Sequence, residues 1–148
     1  MTEFMLSIVV DGPGTDVNYR SHWAFVLHKT DEDRGLLLHV SPIDLSRLIY
    51  QFDRRSDVII RTRSSEGSFA LANIAPQDVK RTTEIISQEP APTDGVERCR
   101  DWVLRTVISL EAEELIPPGS SDWISRLVGE SAQLVAQATG SRWTRTEE

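Results

Sequence analysis

The chain has 148 residues, 39% of them hydrophobic and 26% charged, with a mean hydropathy of -0.29, which suits one soluble domain able to bury a core. A formal net charge of -7 and a pI near 5.0 argue against nucleic acid or an anionic membrane as the general partner. One cysteine leaves no internal disulfide, as expected in a reducing, cytoplasmic setting, and the apolar run at residues 4–10 is too short for a secretion signal or a membrane span.

Residues 4–10 read as a strand ended by Asp11-Gly12-Pro13-Gly14. Residues 19–28 form the next strand, with His22, Ala24, Val26 and His28 on one face and Trp23, Phe25 and Leu27 on the other. A charged turn at 29–35 leads into a strand over 36–40, so these two strands form a hairpin that Pro42 interrupts. Residues 46–53 fit either a helix or a strand, and the β-rich surroundings favour the strand. Residues 58–63 and 68–74 flank Ser64-Ser65-Glu66-Gly67 as a second hairpin.

Pro76 opens a helix reaching about Ser87, with Val79, Ile85 and Ile86 inward. After the loop at 88–95, capped by Thr93 or Asp94, a long helix runs to about Leu115, and Val96, Cys99, Val103, Val107 and Leu110 make its apolar stripe. Pro117-Pro118-Gly119 stops it. A last helix, capped by Ser120, Ser121 or Asp122, continues to Ala138 with Ile124, Leu127, Val128, Leu134 and Val135 inward. Strands first and helices after predict an α+β domain over residues 1–140, with 141–148 as a flexible tail to which Trp143 could add a contact.

Cys99 stands in the first turn of its helix, where free amide dipoles favour a thiolate; the same position also suits a small buried residue. His22 and His28 are separated by about 20 Å along one strand and cannot share a small site. His22 and His39, on neighbouring strands, fall about 5–8 Å apart, within reach of imidazole contact. His28, beside the charged turn, is expected to be exposed. A thiol, a base and an orienting group are the parts that nucleophilic thiol catalysis needs.

The run Tyr19-x-x-His22-Trp23-Ala24-Phe25-Val26, then Leu38-His39-Val40-Ser41-Pro42, then Cys99 opening a helix, resembles the lecithin:retinol acyltransferase-like group. These are circularly permuted relatives of the NlpC/P60 branch of papain-like cysteine enzymes. The anchors are also similar to those of small fungal proteins with a Cys-x-x-Trp-Val helix, matched here by Cys99-Arg100-Asp101-Trp102-Val103. The resemblance implies a permuted papain-like fold, an antiparallel sheet or partial barrel packed on C-terminal helices. It further implies Cys99 as nucleophile, His22 as general base and His39 as orienting group. Two departures stand out. Many acyltransferase relatives carry Asn-Cys-Glu-His-Phe where this chain has Arg98-Cys99-Arg100-Asp101-Trp102, and residues 130–148 lack the hydrophobic anchor of the membrane-bound relatives.

The expected activity is therefore a thiol hydrolase or acyltransferase, including a cyclising one, acting on a small ester, thioester or amide without cofactor or metal. The partner is a small-molecule substrate rather than nucleic acid or membrane. Tyr19, Trp23 and Trp102 are candidates to line its pocket, although both tryptophans also suit the core and Tyr19 a turn. Asp101 is an alternative third group, but a surface residue of the first turns, favoured by the helix dipole, is the preferred reading. Zinc held by His22, His39 and Cys99 is chemically allowed, but the His-Trp-Ala match points to thiol chemistry. A non-catalytic binding module on the same scaffold is the alternative.

Overall fold

A computed structural model describes residues 3–15, 21–61 and 65–146. The strands are β1 (Phe4–Asp11), β2 (His22–Lys29), β3 (Arg34–Asp44), β4 (Ile49–Ile59), β5 (Ser65–Ile74) and β6 (Trp143–Arg145). The helices are α1 (Val79–Gln88), α2 (Cys99–Ala112), α3 (Ser120–Ser125) and α4 (Ala132–Thr139), with 3-10 turns at Pro76–Asp78 and Gly140–Arg142. The strands make one open antiparallel sheet in the order β4-β3-β2-β1-β5-β6. This is the expected α+β architecture.

Alternation divides the sheet into two unlike faces. Leu6, Ile8 and Val10 of β1, Trp23, Phe25 and Leu27 of β2, and Leu38 and Val40 of β3 point into the main core. Trp102, Val103, Val107 and Leu110 of α2 close that core, with Phe25 and Trp102 edge-on at 5.7 Å between centroids. The opposite face carries a smaller cluster of Val9, Val26 and Ile60, with Leu37 beside it. So β2 is buried on both faces, which explains its nearly unbroken apolar run.

Four expectations need correction. Among the described residues the second hairpin does not form, although residues 62–64 of it lie outside them: β4 is one strand from Ile49 to Ile59, and β5 crosses over to pair with β1. The charged run Asp53-Arg54-Arg55 suits the sheet edge that β4 occupies, whereas Phe69 and Leu71 of β5 need a partner nearer the core. Pro42 does not end β3, because there β3 pairs only with β4, and a register shift between Pro42 and Asp44 absorbs the missing donor. The last helix is split into α3 and α4, with Gly129 at a φ of 85° in the break; Leu134, expected inward, is exposed.

Fourth, the segment read as a loose tail adds β6 to the edge of β5. Gly67 pairs with Arg145 and Phe69 with Trp143. A side chain at Gly67 would run into the Trp143 ring and the Thr144 carbonyl, so glycine lets the two backbones meet. Among the described residues, no helix is long and apolar enough to cross a membrane.

Candidate functional site

The β2–β3 register sets Phe25 opposite Leu38 and Val26 opposite Leu37. With Trp23, Phe25, Leu38 and Val40 committed to the core, His22 and His39 must take the other face, diagonal to one another. There His22 Nε2 lies 3.2 Å from His39 Nδ1, with the rings edge-on at 5.4 Å between centroids. The β3–β4 register then places Asp53 directly across from His39. Asp53 Oδ2 is 3.1 Å from His39 Nε2 and accepts from Arg55 Nε at 2.8 Å. Four side chains on three strands thus form one row: His22, His39, Asp53, Arg55.

Burial lowers the pKa of both histidines below the ordinary 6.5, opposed at His22 by the Asp11 charge and at His39 by the bond to Asp53. Asp53 in turn is held below the usual carboxylate range, first by its hydrogen bond to His39, then by Arg55. At neutral pH the two imidazoles are uncharged and the carboxylate is ionised.

Cys99 is the first residue of α2 and only 5% exposed. Burial pushes its thiol pKa up, against the pull of the Trp23 and Arg100 backbone N–H groups and the Arg100 charge. The helix start alone therefore does not produce a resting thiolate, as position in the sequence suggested; desolvation outweighs the amide dipoles. Trp23, whose amide faces the sulfur, directly follows His22 in β2, but strand alternation turns the His22 ring to the face opposite the core that holds Cys99, and neither group is among those that shift the other's pKa. Among the described residues no hydrogen bond joins the Cys99 thiol to an imidazole.

Tyr50 was not anticipated here. Its side chain is buried, and its hydroxyl pKa is raised by burial and by Cys99, while Arg98 and Arg100 pull it down. Its backbone N–H donates to the Pro92 carbonyl at 2.8 Å, tying β4 to the loop before Cys99. Asp53 was missed as well. Its signal was the extension of the β3 hairpin to a third strand, which would have set it opposite His39.

The remaining candidates take structural places. Trp23 and Trp102 are 1% and 0% exposed, sealed in the core rather than lining a pocket; Trp102 Nε1 donates to the Glu89 carbonyl at 3.1 Å. Tyr19 lies outside the described residues. Asp101 accepts the Arg98 backbone N–H at 2.8 Å and so caps α2. Thr93 and Asp94 do not cap the helix; Asp94 Oδ1 instead accepts from Val96 and Glu97, and Val96 is exposed outside the helix. His28 is half-buried, donating from Nδ1 to the Lys29 carbonyl at 2.8 Å, which leaves Nε2 to accept from Ser7 Oγ at 3.0 Å.

Among the described residues no group of three or more His, Cys, Asp and Glu side chains is placed to hold a metal. His22, His39 and Cys99, the three residues weighed as zinc ligands, are thus not grouped around one point. Two surface clefts open elsewhere. One is lined by Glu3, Asp31, Asn73 and Pro76, at the end of β1 away from His22, and the other by Glu111, Ile116 and Pro118.

Residues 9–117 match the model of a Family of unknown function (DUF6540), a span that holds His22, His39, Asp53, Tyr50 and Cys99 but not α3, α4 or β6. No curated protein and no solved structure matches the chain. The matched span thus holds β2, β3 and β4, which build this row, together with α2, and since it covers most of the chain's length the chain belongs to the DUF6540 family.

Proposed function

We propose that the chain is a thiol-dependent hydrolase or acyltransferase for a small ester, thioester or amide, with Cys99 as nucleophile and His22 as general base. The observation that carries this reading is the His22–His39 contact at 3.2 Å, beside the strand residue whose N–H faces the Cys99 sulfur. In this reading the order His22, His39, Cys99 and a helix that begins with the cysteine are those of a permuted papain-like plan, in which the antiparallel sheet stands for the partial barrel. The single cysteine suits work in a reducing cytoplasm.

The resting pair is neutral thiol and neutral imidazole. As sulfur attacks the substrate carbonyl carbon, His22 takes the thiol proton and the carbonyl electron pair moves to oxygen. Collapse expels the leaving group, which receives the proton from His22, and leaves a Cys99 thioester. Water, an amine or an internal nucleophile then attacks the thioester, giving its proton to His22, and sulfur departs to recover it. The Cys99 backbone N–H, at the first helical position without an intrahelical acceptor, is the natural donor to the oxyanion, with the Trp23 N–H beside it.

The burial of Cys99 favours a second reading, a non-catalytic module that binds a small molecule on the same scaffold. Alkylation by iodoacetamide against pH separates the two. General-base activation makes the rate rise where His22 loses its proton, below pH 6.5. His22→Ala then moves the rise to the thiol's own titration, above about pH 8.5, and Cys99→Ala abolishes turnover of esters and thioesters while the fold persists. Alkylation that ignores His22, with ligand binding that survives Cys99→Ser, establishes the binding module instead.

A further inference from the structure

We infer that Asp53 is a positioning residue that, acting through His39, decides which nitrogen of His22 is basic. The inference rests on the thiol reading for its chemical meaning and adds to it the component that an all-imidazole pair lacks, a negative charge. An imidazole orients another imidazole without stabilising the cation formed when it accepts a proton; a carboxylate does both.

The argument is one of hydrogen-bond inventory. An ionised carboxylate only accepts, so the 3.1 Å contact with Asp53 Oδ2 requires the proton of neutral His39 to sit on Nε2. His39 Nδ1 is then a lone pair, and the 3.2 Å contact requires His22 to donate to it from Nε2. Neutral His22 is left with its lone pair on Nδ1. Every proton in the row is placed once the first acceptor is fixed. Arg55 keeps that acceptor ionised by donating to the same Asp53 oxygen. The charged and titratable groups facing the row are Asp11 of β1 at His22, and Asp53 and Arg55 of β4 at His39. The two carboxylates stabilise a proton arriving at His22, one directly and one through the relay.

In the thiol reading, Nδ1 is the nitrogen left to take the thiol proton. The relay itself moves no net proton in the resting state. When Nδ1 is protonated, His22 becomes a cation whose Nε2–H still donates to His39, and His39 donates to Asp53 without losing its proton.

The test is nitrogen-15 NMR of the histidine rings in the full chain at neutral pH, in the parent and in Asp53→Ala, read alongside Cys99 alkylation. Asp53 is one-third exposed on an edge strand, so alanine is tolerated there. The parent is expected to show the Nε2–H tautomer at both His22 and His39. In Asp53→Ala the His39 signal moves toward the Nδ1–H form, His22 follows, and alkylation at pH 7 falls by roughly tenfold or more, the scale of a general base held in the wrong tautomer. A parent His22 protonated on Nδ1 overturns the inference without any variant. So do tautomers and alkylation that ignore Asp53 while still depending on His22, a result that leaves the thiol reading standing. Alkylation independent of His22 removes the chemistry the proton is placed for, and both proposals fall.

Discussion

The carboxylate of Asp101 takes the backbone N–H of Arg98 at 2.8 Å and closes the first turn of the helix that begins with Cys99. The Asp101 N–H returns to the Arg98 carbonyl at 3.0 Å. The thiol is therefore held by a backbone that is bonded on both sides of it. Asp101→Ala is expected to cost about 1 kcal/mol, as loss of a helix cap does, with Asp101→Asn costing less because an acceptor remains. Urea midpoints measure both. A loss of Cys99 reactivity without a loss of stability would show that Asp101 has a chemical role.

Stability is expected to fall with acid from a pH higher than carboxylates alone would dictate. His22, His28 and His39 all have folded pKa values lowered from 6.5, burial being the largest cause in each case. The unfolded chain binds their protons first, so the stabilisation is whole above pH 6.5 and is lost as pH drops through that value toward the folded ones. Asp53, also lowered, adds its loss only below the carboxylate value of 3.8. Urea unfolding at pH 7.5, 6.0 and 5.0 reads the effect, and a midpoint flat over that interval would contradict it.

Arg105 on α2 grips the loop that leads to Cys99. Its Nη1 donates to Glu89 Oε2 at 2.9 Å, and its Nε lies 3.2 Å from Glu97 Oε2. Ser109 Oγ donates to the other Glu89 oxygen at 3.0 Å. Arg105→Met keeps the bulk but leaves the Glu89 carboxylate, only 15% exposed, without its charged partner, and should cost about 1–3 kcal/mol. Equal urea midpoints for variant and parent would place the anchoring of this loop elsewhere.

Gly67→Ala should detach β6. The added carbon meets the Trp143 ring and the Thr144 carbonyl, so one strand must move, at a cost of about 1–3 kcal/mol. Limited trypsin digestion is the direct assay: cleavage after Arg142 and Arg145 should accelerate while the rest of the chain resists. An unchanged digestion pattern would mean that the contact gives way without loss of the strand.

Much of the candidate site was readable because it depends on local alternation. Trp23, Phe25 and Leu27 declare the core face of β2, and that alone sends His22 to the face where His39 arrives by a short hairpin. Asp53 was hidden because residues 46–53 and 58–63 read as separate strands. They are largely one edge strand, Ile49–Ile59, whose polar middle records exposure. The partner of β5 was hidden for another reason: pairing with β1 is long-range, and periodicity carries no information about partners. The thiol pKa was misjudged because burial, a tertiary property, outweighs the helix start, a local one.

The row of side chains and the thiol also differ in when they come within reach during synthesis. His22 and His39 are 17 residues apart, His39 and Asp53 only 14, and both contacts lie within successive antiparallel strands. Cys99 follows after β5 and α1 have been made. Short loops close at lower entropic cost than long ones, so the row of His22, His39 and Asp53 can assemble while Cys99 is still to be translated. Under the proposed thiol chemistry, a nascent chain would hold the base before its nucleophile, and activation would have to wait until α2 docks on the sheet.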